Sequence, residues 1–318
     1  MCGIIGYLDK RGSRNDPLGR TLLSMLQALS CRGPDSAGVA ILGVSRPGWV
    51  LQLKLPEQAN ADEATKTTLE ILKAKGATSQ QRRIGAYLRV ELTSTVDPAE
   101  LEQHLANQLP GAEIVSLGQQ LQIVKQVGSP AQLEATYHIS EMDGTHGIGH
   151  TRLSTESRVD LSHSQPFWAH GVPDLATVHN GHITNYHKLR RQYEQRGYRF
   201  YTENDSEIIG VYLRDRMAAG MSIPDALRSS LDDFDGSFSY LAAWSDGLAF
   251  VKDRFGYKPL VIAETEDFVA VATEEIALRR ALGRDFVTRE PAPGTRQVWS
   301  IPIRRSAPIE GVSLGVPH

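Results

Sequence analysis

Met1-Cys2-Gly3-Ile4-Ile5-Gly6-Tyr7 opens the chain, and its second residue decides how the rest is read. Removal of Met1 places a thiol and a free α-amine on the same residue. An α-amine titrates near pH 8, so a useful fraction is unprotonated at neutral pH and can take the thiol proton through a water. That pairing is a nucleophile carrying its own base. Position 2 can equally hold Cys as a tolerated small residue, so the remainder of the chain has to discriminate.

Gly3 to Leu8 reads as a short buried strand. Asp16-Pro17 then opens a helix in which Leu18, Leu22, Leu23, Leu26 and Leu29 recur at helical spacing. Arg32 to Gly38 is a polar turn, followed by a strand at Val39 to Leu42. A strand at 49–55, a helix at 58–76, a strand at 84–92, a helix from Pro98 to Leu109 and strands near 113–117 and 120–127 follow. The strand–helix–strand–strand order over 82–130 indicates a small α/β insert, within an inserted stretch of about 48–140. The strand pattern resumes at His146, and amphipathic helices are expected over Asn185 to Gly197 and Asp205 to Gly220. Four short strands (239–244, 248–252, 260–264 and 268–273) precede a helix at 274–282. Residues 283–318 carry repeated prolines and read as an extended tail.

Composition narrows the class. The chain has 318 residues, 41% apolar and 22% charged, ordinary for a globular protein. Lys+Arg 34 against Asp+Glu 37 gives a net charge of −3, which offers no basic field for nucleic acid or a membrane surface. No apolar run is long enough to span a bilayer, and the early Asp9-Lys10-Arg11 argues against a signal peptide. Two cysteines make no disulfide scaffold. Cytoplasm, which keeps Cys2 reduced, is the expected compartment. Cys31, after the first helix, is expected as a half-buried small hydrophobe. Six of the ten histidines fall between 150 and 187 without acidic partners at ligand spacing, so no metal and no cofactor are expected.

Five further segments carry chemistry: Arg32-Gly33-Pro34-Asp35-Ser36-Ala37-Gly38, Gly149-His150-Thr151-Arg152-Leu153-Ser154-Thr155, His179-Asn180-Gly181-His182-Ile183-Thr184-Asn185, Glu203-Asn204-Asp205-Ser206-Glu207-Ile208-Ile209, and Lys252-Asp253-Arg254-Phe255-Gly256-Tyr257-Lys258-Pro259-Leu260. With the Cys2 segment and in this order, they resemble the glutaminase domain of class II glutamine amidotransferases, which are N-terminal nucleophile hydrolases. The resemblance covers nearly all of 1–42 and 145–282. It implies an α+β fold, a four-layer αββα sandwich carrying the small α/β insert, with the amidotransferase domain at 1–282 and the proline-rich tail at 283–318.

Chemistry assigns the parts. Attack of a Cys2 thiolate on the glutamine amide creates an oxyanion that needs preorganised donors; the Asn180 side-chain amide and the Gly181 N–H are the candidates. Asn-Gly is also a favoured hairpin turn, and that alternative stays open. Arg152 is the candidate for the glutamine α-carboxylate, against an ordinary strand-end Arg. Asp205 is the candidate for the α-ammonium, against a helix N-cap. The resemblance further implies that Thr155 touches the glutamine backbone and that Arg32 lies close to the Cys2 loop.

The runs Thr145 to Arg152 and Pro173 to Tyr186 are most similar to the stand-alone amidotransferase subunit of N-methylglutamate synthase and its GlxB-type relatives. That similarity implies L-glutamine as substrate and a separate, glutamate-synthase-like partner subunit. Two alternatives remain: an N-terminal-Cys acylase of the same fold, and a non-catalytic regulatory subunit.

Overall fold

A computed structural model describes residues 2–11, 16–43, 45–56, 60–75, 80–93, 96–154, 158–283 and 285–301. The first half contains β1 (Gly3–Asp9), α1 (Leu18–Ala28), β2 (Ser36–Leu42), β3 (Trp49–Lys54), α2 (Ala61–Ala74), β4 (Gln80–Ile84), β5 (Tyr87–Leu92), α3 (Pro98–Gln108), β6 (Glu113–Gly118), β7 (Leu121–Val127) and α4 (Pro130–Tyr137). Next come β8 (His146–Arg152), β9 (Phe167–Trp168), β10 (Leu175–Ile183), α5 (Tyr186–Gln195), α6 (Glu207–Ala218) and α7 (Ile223–Asp233). The chain continues through β11 (Gly236–Trp244), β12 (Gly247–Lys252), β13 (Val261–Glu264), β14 (Phe268–Ala272), α8 (Glu275–Leu282), β15 (Thr288–Arg289) and β16 (Arg296–Ser300).

Every residue of β1, β2 and β8 is buried. Strands covered on both faces need no apolar–polar alternation, which is why Gly-Ile-Ile-Gly-Tyr-Leu and His-Gly-Ile-Gly-His-Thr sit in the middle of a sheet. That sheet has seven strands, ordered β15-β13-β14-β1-β8-β2-β7. A second sheet, β16-β12-β11-β10-β9, stacks on it, with β10 and β11 facing β1 and β8. α1 and α8 cover the outer face of the first sheet, and α5, α6 and α7 cover the second. The expected αββα sandwich is the architecture of the protein.

The insert is a four-stranded antiparallel sheet, β4-β5-β3-β6, with α2 and α3 on it. The order β3-α2-β4-β5-α3-β6 is the split βαβ arrangement of ferredoxin-like folds. Asn60 caps α2 through the Asp62 N–H at 2.9 Å, and Asp97 caps α3 through the Glu100 N–H at 2.8 Å. The sequence places an insert at about 48–140, but the insert sheet itself runs only from Trp49 to Gly118. β7 lies in the seven-stranded sheet, paired with β2 from Leu42↔Leu121 to Ser36↔Val127, and α4 packs against β7, α1 and β2. Strand patterning does not reveal which sheet a strand joins. In the described part of the segment after 282, β15 and β16 add edge strands to both sheets. Among the described residues no helix is long and apolar enough to cross a membrane.

Candidate active site

The site is assembled where strand ends meet. Gly3 of β1 pairs with Thr151 of β8, so Cys2 and Arg152 emerge at the same edge of the sheet. Cys2 is half-buried, with its Sγ 3.8 Å from the Leu153 carbonyl. Its own carbonyl accepts the Arg32 Nε–H at 3.2 Å, and Arg32 is ion-paired with Glu274 at the start of α8. Arg32 therefore holds the Cys2 backbone from behind.

The Arg32–Gly38 segment cradles residues 152–154. The Asp35 N–H donates to the Arg152 carbonyl at 3.0 Å, and the Asp35 carboxylate accepts the Ser154 N–H at 2.7 Å. Gly33 is needed for this approach, since a Cβ there would lie 2.4 Å from the Arg152 nitrogen. The Arg152 guanidinium is buried and donates to the Arg158 carbonyl at 2.8 Å. Burial pulls its pKa down, against the opposing pull of Cys2, Asp160 and Asp35.

Asn180 and Gly181 lie inside β10, paired with Ser239 and Phe238 of β11, and not at a hairpin turn. Gly181 has φ +139°, and a Cβ would lie 2.2 Å from the Ser237 carbonyl oxygen, so only glycine fits. Asn180 is buried, and its Nδ2 has no hydrogen-bond partner. Leaving such a donor unpaired costs ~1–3 kcal/mol, so it requires an explanation.

The residue before Asn180 is clamped. The His179 N–H donates to Gln165 Oε1 at 2.6 Å, and its carbonyl accepts from Gln165 Nε2 at 3.2 Å and from His150 Nε2 at 3.1 Å. His150 belongs to β8, so this bond ties the two sheets directly behind the site. Burial, reinforced by the charges of Arg152 and His179, holds the His150 pKa at about 3, so the ring is neutral and donates from Nε2. The His179 ring contacts Ser206 Oγ at 2.8 Å through Nδ1.

Asp205 does not cap α6. Ser206 occupies the cap position and makes no side-chain cap bond. Asp205 Oδ2 instead accepts the Ile183 N–H at 2.9 Å and lies 3.4 Å from His182 Nδ1. Cys2, Arg152, Gly181 and Asp205 all line one cleft of about 460 Å³. Asn180 and Arg32 stand behind that lining, and Thr155 lies outside the described residues. The sequence assigns no individual role to Glu203 and Ser206, which flank Asp205 in the quoted segment, and misses His163 and Gln165; all four also line the cleft. The Ser-Gln-Pro run at 164–166 and the polar cluster at 202–207 were the available signals. Cys31, expected half-buried, is exposed, because it falls in the short 3₁₀ turn (Ser30–Arg32) that follows α1.

A half-buried thiol at position 2, a buried guanidinium and an embedded carboxylate in one cleft, on a stacked αββα frame, define an N-terminal nucleophile hydrolase architecture. The glutamine amidotransferase domain family matches residues 150–280, the stretch holding Arg152, Asn180, Gly181 and Asp205. The chain belongs to the glutamine amidotransferases, a family of glutamine-hydrolysing enzymes. It is 36% identical over 308 residues to a protein of Methanothermobacter thermautotrophicus assigned to that family, covering 95% of this chain and 100% of the relative. It is 34% identical over 300 residues to the glutamine amidotransferase-like protein GlxB of Rhizobium meliloti, covering 94% and 98%. Among solved structures, the glutamine phosphoribosylpyrophosphate amidotransferase of B. subtilis aligns with TM-score 0.61 at 19% identity. That likeness covers 93% of this chain and 47% of the longer one, and it supports the shared fold.

Proposed function

We propose that Cys2, freed of Met1, is the nucleophile of a glutaminase, and that its ammonia or γ-glutamyl product serves a separate synthase subunit. The thiolate attacks the glutamine amide carbon, forming an S–C bond. The tetrahedral oxyanion collapses, the C–N bond breaks, and ammonia leaves with a proton returned by the Cys2 α-ammonium. Water then attacks the γ-glutamyl thioester and releases glutamate and the thiol. Arg152 pairs with the substrate α-carboxylate and Asp205 with the α-ammonium. The Asn180 amide and the Gly181 N–H receive the oxyanion.

The observation that carries this reading is the Asn180 Nδ2, a buried donor with no partner in the folded chain, one residue from a cleft-lining glycine. An oxyanion hole is a place where a donor is kept unpaired for a charge that exists only on the reaction path. The finer assignment, a glutamate-synthase-like or N-methylglutamate synthase partner, is supported by the near full-length similarity to GlxB.

Cys2→Ala should abolish glutamate release while leaving the thermal unfolding midpoint unchanged. A glutamine analogue bearing an electrophilic carbon should add its mass to the peptide containing Cys2 and not to the one containing Cys31. Near-normal turnover by Cys2→Ala, or labelling at Cys31 alone, defeats the mechanism. Cleavage of acyl amides unrelated to glutamine, without glutaminase activity, would favour an acylase of the same fold.

A further inference from the structure

Two walls of the cleft come from outside the strands. One is the stretch 158–165, contributing Arg158, His163 and Gln165; the other is 203–206, contributing Glu203, Asn204, Asp205 and Ser206. The walls are bonded to each other, through His163 Nε2 to Glu203 at 3.2 Å and through Asn204 Nδ2 to the His163 carbonyl at 3.2 Å. Each wall is also held from outside by the insert.

The first hold is at Ser162. Its hydroxyl donates to Glu113 of β6 at 2.5 Å and accepts from Lys54 of β3 at 2.8 Å. Two residues earlier, Asp160 accepts both the backbone N–H and the ring Nδ1–H of His163 at 2.8 Å. The second hold is Glu102 of α3. Its Oε1 accepts from His170 Nδ1 at 2.8 Å and from the Tyr201 hydroxyl at 3.2 Å, and its Oε2 faces Arg214 at 4.0 Å. His170 stacks on Tyr201 with ring centroids 4.4 Å apart. From Tyr201 the chain runs directly into the second wall: the Tyr201 and Thr202 N–H groups both donate to Glu207, at 2.8 and 2.9 Å. Asn204 N–H then bonds the Thr202 hydroxyl at 3.1 Å. Glu102 is thus 99 residues from Tyr201 in sequence and one hydrogen bond away in space.

We infer that the insert is the element that sets the spacing of the glutamine cleft, and that Glu102 is the positioning residue through which it holds the wall bearing Asp205. This rests on the reading of the cleft as the glutamine site. Glu102 does not touch the substrate. It acts through Tyr201 and His170, and its loss should reach the reaction as weaker grip on the glutamine head, because Asp205 stands on the released wall.

The test uses the full-length protein with Met1 removed. Glu102→Ala should raise the glutamine KM at least fivefold with kcat within twofold of wild type. Glu102→Gln keeps an acceptor oxygen for Tyr201 and His170 and should return KM to within about twofold. Ile71→Ala, on the buried face of α2 in the same insert, with an apolar side chain that makes no hydrogen bond to either wall, serves as a control. It should lower the unfolding midpoint at least as much as Glu102→Ala while leaving KM unchanged. Amide hydrogen exchange supplies a readout independent of activity: Glu102→Ala should speed exchange at 201–206, and Ser162→Ala at 158–165. An unchanged KM for Glu102→Ala, an equal KM rise for Ile71→Ala, or unaltered exchange at 201–206 overturns the inference. A wild-type protein with no glutaminase activity but the expected exchange pattern would instead overturn the functional reading and leave the positioning role standing.

Discussion

Asn180→Ala separates the oxyanion role from every structural one. The Asn180 side-chain Nδ2 bonds nothing in the folded protein, so its removal breaks no native hydrogen bond. It also removes an unpaired donor that costs the ground state ~1–3 kcal/mol, against which stands the packing lost with the side chain. Folding stability should therefore change little, with a midpoint within a few degrees of wild type. The transition state should suffer fully. Loss of one preorganised oxyanion donor costs ~2.7–4 kcal/mol, a fall of about 10²–10³ in kcat, with the Gly181 N–H sustaining the residual rate. KM should stay within a few-fold, because the donor meets its partner only after attack. The assay is glutamate release across a range of glutamine concentrations, with thermal unfolding on the same samples. A raised KM with unchanged kcat would assign Asn180 to ground-state binding. A collapsed midpoint would make the amide structural. Either refutes the role.

Arg152→Ala and Asp205→Asn should act in the opposite sense: each removes a charged contact worth ~1.5–3 kcal/mol, raising KM by about ten- to a hundredfold with kcat nearly preserved. A kcat loss without a KM change would overturn the zwitterion assignment. Acid should destabilise the fold through His146 and His150, whose burial lowers their pKa from 6.5 to about 4 and about 3. The unfolded chain takes up those protons first, so this stability is complete above about pH 6.5 and is lost as pH falls toward the folded values. Denaturant midpoints measured from pH 7.5 down to 4.5 should decline, and a flat profile would contradict the neutral, buried assignment. Excising 43–120 in favour of an Asn-Gly turn should give a folded protein, because Leu42 and Leu121 are already paired partners. It requires Lys125→Met as well, since Lys125 is buried and would lose Glu113, 3.9 Å away. Such a protein should keep its unfolding cooperativity while its glutamine KM rises more than in Glu102→Ala; an unchanged KM would show the insert to be irrelevant to the cleft.

Much of the frame was legible because it is local. The apolar runs at 3–8 and 39–42 and the leucine spacing of α1 each announce one element, and the ordered motifs around Cys2, Arg152, Asn180 and Asp205 announce one family. What escaped the sequence is non-local or polar. The arm β4, Gln-Gln-Arg-Arg-Ile, is exposed apart from its last residue and carries no alternation, so only its partner β5 stood out. α7 begins Ser-Ile-Pro-Asp, with Ser222 capping and proline in the first turn, a helix start legible from sequence. The hairpin turn that Asn-Gly offered as the alternative to an oxyanion pair is not formed; the positive φ of Gly181 serves close contact with the Ser237 carbonyl inside a strand. Gln165 and His163 belong to no periodic element, so only the Ser-Gln-Pro run at 164–166 hints at them before the sheets are stacked.

The same distinction accounts for the character of the insert's attachments. The β2–β7 pairing continues from Leu42↔Leu121 without the insert, so the insert is not needed to complete the sheet. Beside an apolar core that it shares with the body, it is held by specific polar contacts: Asp174 accepting the N–H groups of Gln119, Gln120 and Leu121 at 3.0, 2.9 and 2.8 Å, Glu113 with Ser162 and Lys125, and Glu102 with His170 and Tyr201. Buried polar pairs contribute little net stability, because desolvation offsets their attraction, yet each is satisfied in only one relative placement of its two partners. An apolar contact of equal area would tolerate sliding by an ångström, which is enough to misplace a group that must meet a substrate ammonium. Glu102 meets the wall that carries Asp205, and Lys54 and Glu113 meet the wall bonded to it, so the insert's attachments fall where such tolerance would be most costly to glutamine binding.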